Sequence, residues 1–172
     1  LAPEHQLCEK LVSGTEFEDA WRNLRNDVIS MSDFDRGMIK DKVGVPTGKF
    51  ATNPLTGEEV PIWIGNFVIA SYGTGAVMAV PGHDQRDFDF ARNYSIPIRQ
   101  VLLEKEDDEI GELSKAFEGH GPMAGSPLPG FDGKSGDDAK RAVIEALENN
   151  SMGEGTTQWK IRDWLISRQR YW

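Results

Sequence analysis

The chain has 172 residues, enough for one domain with a real core and too few for two comfortable ones. Hydrophobic residues at 38% and charged residues at 27% exclude wholesale disorder, and no run approaches the roughly 18 consecutive apolar residues that a membrane helix needs. A net charge of -9, from 19 basic against 28 acidic residues, argues against non-specific binding along a phosphate backbone, so any nucleic-acid contact must be local.

The opening "LAPEHQLCEKLVSGTEFEDA" has early acids and no apolar stretch long enough for a secretory signal. Its Cys8 is the single cysteine of the chain, so neither an internal disulfide nor a thiolate zinc cage can form, and a reducing, cytoplasmic setting is expected. "TEFEDAWRNLRNDVI" carries a Thr15-x-x-Glu18 capping box and apolar residues at Phe17, Ala20, Trp21, Leu24 and Val28, the spacing of one helical face. From residue 44 to residue 80, Pro46, Gly48, Asn53-Pro54, Thr56-Gly57 and Gly73-Thr74-Gly75 punctuate runs rich in Val, Ile, Phe and Trp. That spacing predicts short strands ending in "AVMAV", and an α/β fold whose small mixed β-barrel or strongly curved sheet is flanked by helices. "IPIRQVLL" reads as a further strand, "EKEDDEIGE" as a solvated loop, and the Gly/Pro-rich stretch after it as a connection. "DDAKRAVIEALENNSMG" predicts a second helix, capped by Asp137, with Ala139, Ala142, Val143, Ala146 and Leu147 inward and Gly153 past its end. In the closing "WKIRDWLISRQRYW" four basic residues face one acid among three tryptophans and a tyrosine.

Two phosphate-binding look-alikes fail their own motifs. "LPGFDGKS" has Leu128 where a P-loop needs its first glycine, and "GTGAVM" places Met78 where a dinucleotide fingerprint needs its third.

The chemistry concentrates in "GTGAVMAVPGHDQRDFDFA", residues 73–91. Pro81 and Gly82 end the apolar run, so a helix can begin with Asp84 as its N-cap. Asp87 then falls at the third helical position, where its carboxylate meets free backbone N-H groups and the positive end of the dipole. His83, Asp84 and Asp87 converge beside a tight glycine turn, with Phe88 and Ala91 free to face a core. Such a mouth could hold a metal ion or an amino acid's ammonium, and one well-placed carboxylate suffices for the ammonium. His5, His83 and His120, taken singly, read as surface or satisfied side chains rather than catalysts.

"YGTGAVMAVPGHDQRDFDFA" closely resembles the editing domain of bacterial-type leucyl-tRNA synthetases, and "GVPTGKFATNPLTGEEVPIWIGNFV" resembles the same domain's strand region. The resemblance implies hydrolysis of the ester in mischarged leucine tRNA, carrying norvaline or isoleucine, because a pocket discriminates poorly between aliphatic side chains differing by one methylene. It implies that Asp87 anchors the substrate's α-ammonium as the residue central to catalysis, and that Met78 and Val80 line the side-chain pocket. Tyr72, His83, Asp84 and Arg86 match positions around the terminal adenosine and the ammonium. The implied partners are the aminoacylated 3' end of leucine tRNA and the remainder of the synthetase, with no membrane. No metal or organic cofactor is implied for editing, whereas ATP and magnesium are implied for the full synthetase alone.

The resemblance divides the chain into an editing domain at 1–157 and a connection back into the synthetic catalytic domain at 158–172. There Arg168, Arg170, Trp164 and Trp172 are expected to pack against that synthetic core, the alternative being contact with tRNA. In the family a threonine-rich strand lies just before the stretch resembling "LAPEHQL" and excludes correctly attached leucine. Little or no hydrolysis is therefore expected from these 172 residues alone. The alternatives are a non-catalytic module that binds aminoacyl groups or tRNA ends, and a metal-dependent hydrolase using His83, Asp84 and Asp87.

Overall fold

The computed structural model describes residues 1–126 and 130–157. Their elements run α1 (Gln6–Val12), α2 (Glu18–Val28), α3 (Asp33–Gly37), β1 (Gly44–Thr52), β2 (Glu59–Gly65), α4 (Gln85–Asn93) and α5 (Gly136–Asn149). The stretch from Trp159 and its four closing tryptophan and tyrosine side chains lies outside the described residues, as do the domain boundary at 158 and the expected roles of Trp164, Arg168, Arg170 and Trp172.

The predicted amphipathic helix is α2, with Trp21, Leu24 and Val28 buried and Ala20 exposed. Its capping box works one step earlier than expected. Thr15 Oγ1 accepts from Phe17 N at 3.2 Å and Glu18 Oε2 from Gly14 N at 2.7 Å, so both side chains satisfy donors of the turn leading into the helix. Ahead of it, α1 begins where His5 Nδ1 accepts from Leu7 N at 3.2 Å.

β1 and β2 form an antiparallel hairpin, with Val45 opposite Ile64 and Thr52 opposite Glu59, and a register shift between Pro46 and Phe50. The predicted turn residues close it, since Asn53 N donates to Glu58 O and Gly57 N to Asn53 O, each at 2.8 Å. The other edge of β2 meets Leu1. Leu1 N donates to Trp63 O at 2.7 Å and Gly65 N to Leu1 O at 3.0 Å, the two bonds made by a residue running parallel to its neighbour.

The core packs α1 and α2 onto the hairpin through Cys8, Val12, Trp21, Leu24, Val45 and Ile64. Trp21 Nε1 donates to Pro3 O at 2.9 Å, so the indole buries its ring without stranding its donor. Buried Arg36 fastens the edge of this layer. Its guanidinium binds Glu4 and donates to Val28 O at 3.0 Å and Val68 O at 3.2 Å. A second cluster carries α4: Phe90 meets Trp63, Phe67 and Tyr94 at ring separations of 5.5, 5.3 and 4.7 Å, and Gly44 N donates to the Tyr94 hydroxyl at 2.9 Å.

The α/β character holds, but the barrel does not close: the described residues form one two-stranded sheet. "AVMAV" is an irregular segment, and "IPIRQVLL" contributes only the isolated bridge of Leu102 with Met123. A strand needs a ladder partner, and Val77, Met78 and Val80 lie exposed without one. The closing helix also differs in its caps. α5 starts after Ser135 rather than Asp137, and at its end Ser151, not Gly153, takes the left-handed conformation with φ 55°. Its inward residues are as expected, Ala139 being buried and Ala142, Val143, Ala146 and Leu147 half-buried.

Candidate functional site

The expected helix start is present. Asp84 is the N-cap of α4 in extended conformation, and its Oδ1 accepts from Arg86 N at 2.8 Å and Asp87 N at 3.2 Å. Asp87 reaches backwards instead: its Oδ2 accepts from Val80 N at 2.8 Å. Val80 O in turn accepts from His83 N at 2.8 Å and Asp84 N at 3.0 Å, so residues 80–87 close into a ring of backbone and carboxylate bonds. Phe88, Phe90 and Ala91 are buried on the inward side of α4 and fix its axis against the aromatic cluster, with Arg86 and Asp89 exposed on the outer side.

Burial pushes the Asp87 carboxyl above its ordinary range, and the neighbouring Asp84 charge adds to this, while the Val80 N-H and Arg86 pull the other way. An ionised carboxylate here is short of compensating positive charge. Arg86 supplies little, since it is exposed and its guanidinium lies 3.5 Å from Asp84 Oδ2.

The glycine turn positions the other side of the site. Gly75 adopts φ 75°, and a Cβ there would lie 3.2 Å from Ala70 O and 3.3 Å from the His5 ring, so this position requires glycine. Gly75 O accepts from Ala2 N at 2.9 Å, which pins the turn to the beginning of the chain. Between the turn and α4, Met78 and Val80 are exposed, at 69% and 47%, and Tyr72 precedes the turn at 54%. The structure thus brings Val80, Asp84, Arg86 and Asp87 together, with Met78 two residues before Val80 on the same open segment. Two clefts of about 360 and about 420 Å³ lie along residues 91–117, and neither is lined by any of the seven candidate residues. Val80, Asp84, Arg86 and Asp87 form an apolar and acidic rim that is open to solvent at Val80 and Arg86.

His83 is engaged differently from its neighbours. Its Nδ1 lies 2.9 Å from Phe117 O, and its Nε2 accepts from Val101 N at 3.1 Å and Leu102 N at 3.2 Å. Both ring nitrogens are therefore taken by backbone. Among the described residues, no group of three or more His, Cys, Asp or Glu side chains is placed to hold a metal ion. His5 is likewise occupied, as the α1 cap.

Gln85 was not singled out by the motif, yet its Oε1 accepts from Ala116 N at 3.1 Å and its N-H donates to Glu118 at 3.2 Å. Nothing local signals these bonds, because the partners lie more than 30 positions away in the chain.

Comparison with known proteins gives a consistent picture. Residues 1–148 match the family described as "Leucyl-tRNA synthetase, editing domain". A leucine-tRNA ligase of Clostridium perfringens (strain 13 / Type A) is 45% identical over 173 aligned residues, and one of Borrelia hermsii (strain HS1 / DAH) is 44% identical; both alignments cover all of this chain and 20% of the relative. The chain thus spans about a fifth of the length of these curated relatives. Among solved structures, the ternary complex of Agrobacterium radiobacter K84 agnB2 LeuRS-tRNA-LeuAMS is similar with a TM-score of 0.62 and 26% identity, over 95% of this chain and 16% of that one.

Proposed function

Because the chain belongs to the leucyl-tRNA synthetase editing-domain family, we propose that it hydrolyses the ester linking a wrong amino acid, norvaline or isoleucine, to the 3' end of leucine tRNA. In this reading it acts in the cytoplasm as part of a leucine-tRNA ligase whose remainder performs the ATP- and magnesium-dependent charging step. A cavity that accepts leucine cannot strongly reject an aliphatic chain of nearly the same size, and a second site that removes wrong products supplies the missing discrimination.

The observation that carries this reading is Asp87. It is a half-buried carboxylate held by Val80 N at 2.8 Å, set at a helix start, beside the exposed Val80 and two residues along the open segment from Met78. An α-ammonium placed against it forms a charge-assisted hydrogen bond and offsets the cost of burying the charge. The aliphatic side chain of the same amino acid then lies toward Met78 and Val80, while Tyr72, Asp84 and Arg86 face the terminal adenosine. Editing on this rim uses no metal or organic cofactor: water attacks the ester carbonyl, and the protein contributes orientation through the ammonium.

Leu1 pairs in parallel with the edge of β2, where we propose that the family's threonine-rich strand completes the rim. The test is deacylation of norvaline-charged leucine tRNA by this segment and by a form extended upstream through that strand, each with and without Asp87→Ala. Turnover by the extended form only, abolished by Asp87→Ala, is the expected result. Binding of the charged tRNA without turnover in the extended form would make this a binding module. Loss of turnover on treatment with a chelator would point to a metal-dependent hydrolase instead.

A further inference from the structure

We propose that His83 is a positioning residue for editing, one that sets the Asp87 carboxylate by bolting the start of α4 to two distant segments and makes no contact with substrate itself. The inference rests on the editing reading for its purpose, and on the hydrogen bonds of one imidazole for its content. Nδ1 faces the Phe117 carbonyl at 2.9 Å, so Nδ1 carries the ring proton. Nε2 is then bare, as its two backbone donors, Val101 N and Leu102 N, require. Both ring nitrogens are thus engaged by backbone, with no donor or acceptor left for a ligand.

The surroundings make this bolt directional. Phe117 N donates to Gly82 O at 2.9 Å, Ala116 N to Gln85 Oε1 at 3.1 Å and Gln85 N to Glu118 Oε1 at 3.2 Å, so residues 116–118 strap Gly82 and Gln85 on either side of the α4 N-cap. On the other side Gly82 lies so close to residue 99 that a Cβ would approach Arg99 O to 2.5 Å. His83 joins both contacts through its ring, and its own N-H donates to Val80 O, the residue whose N-H holds Asp87. Displacement of the ring therefore reaches Asp87 through a single intervening residue.

The experiment compares His83→Ala, His83→Gln and His83→Asn in the intact synthetase that carries this chain, using norvaline-charged leucine tRNA and following kcat, KM and hydrogen exchange of the peptide containing Val80. Charging with leucine by the same preparations controls for folding. His83→Ala is expected to lower kcat between about tenfold and about a hundredfold, the range in which misplacement of a catalytic geometry is felt, with a much smaller change in KM. Exchange at Val80 is expected to quicken in parallel. His83→Gln, whose carbonyl can replace the Nε2 acceptor, and His83→Asn, whose amide can replace the Nδ1 donor, should each recover part of the loss.

An unchanged kcat would overturn the proposal. So would a raised KM with kcat preserved, which would put the imidazole on the substrate, and so would a lowered kcat with Val80 exchange unchanged. If the parent enzyme itself fails to hydrolyse the norvaline ester, the editing reading falls, while Val80 exchange still decides whether His83 holds Asp87.

Discussion

Asp87 shows how a side chain proposed to serve function can be costly for stability. Its folded pKa is raised, by burial before all else, so the native state binds this proton more readily than the unfolded chain. The resulting cost is fully present above the folded pKa and vanishes as pH falls below the ordinary aspartate value. Asp87→Asn keeps an oxygen that can accept from Val80 N while removing the charge. It is expected to melt no lower than the parent at neutral pH, with any gain shrinking toward zero in acid, even as deacylation is lost. Thermal melts of both proteins across pH check this, and a variant that is clearly less stable at neutral pH would contradict it. Cys8 illustrates the opposite case of a group with no evident chemistry. Burial, together with the nearby Glu4 charge, pushes its thiol up to about 11, and Sγ donates to Ala2 O at 3.2 Å. Thiolate is the reactive form, so a thiol reagent should label the native protein far more slowly than the denatured one at the same pH.

At the scale of elements, helices were legible where a capping residue and an amphipathic stripe coincided. Asp84 caps α4 as its position after Pro81-Gly82 implies, and Trp21, Leu24 and Val28 line the buried face of α2. α1 and α3 were missed: each is short, and α1 is capped by a histidine ring, a use the residue type does not advertise. Strands were legible only where a turn supplied the partner, as Asn53 and Gly57 do for β1 and β2. "AVMAV" has the composition of a strand, but composition cannot show whether a ladder partner exists. The end of α5 was misplaced for a related reason, and α4 ends the same way. Ile96 N donates to Ala91 O and Ser95 N to Arg92 O, while Met152 N donates to Leu147 O and Ser151 N to Glu148 O, so both α4 and α5 close in the double-bonded turn that normally uses glycine. Serine occupies the left-handed position in each, at φ 53° and 55°. Ser95→Gly and Ser151→Gly are each expected to stabilise the fold by roughly 0.5 to 1 kcal/mol, the relief of left-handed strain less the added freedom of the unfolded chain. Denaturant midpoints of the two variants measure this.

Across the whole molecule, the motif gathered the candidate residues while their supports escaped notice. Asp84 and Asp87 are three positions apart and read together, but the bonds from Val101, Leu102 and Phe117 that occupy His83 span 18 to 34 positions and leave no local pattern. Charge acts at this largest scale too. Four basic residues and one acid lie beyond residue 157, so the described part is more acidic than the net -9 of the chain. Around the rim Asp84, Asp87 and Asp89 stand against Arg86 and Lys42, so the charges there do not sum to a positive surface that would follow an RNA backbone. In the proposed editing reading, this unit then recognises a tRNA end through the ammonium, the base and one or two phosphates. Each phosphate contact on a single strand contributes about -0.7 to the slope of log affinity against log salt. Binding of norvaline-charged leucine tRNA by the upstream-extended form should accordingly show a slope no steeper than about -1.5, whereas an extended groove with six contacts would give roughly -4. A steep slope would mean that the tRNA body, gripped by cationic surface outside the described residues, dominates affinity. A shallow one, with affinity lost in Asp87→Ala, would place the discriminating energy at the carboxylate itself, where a cation meets a charge that folding has left uncompensated.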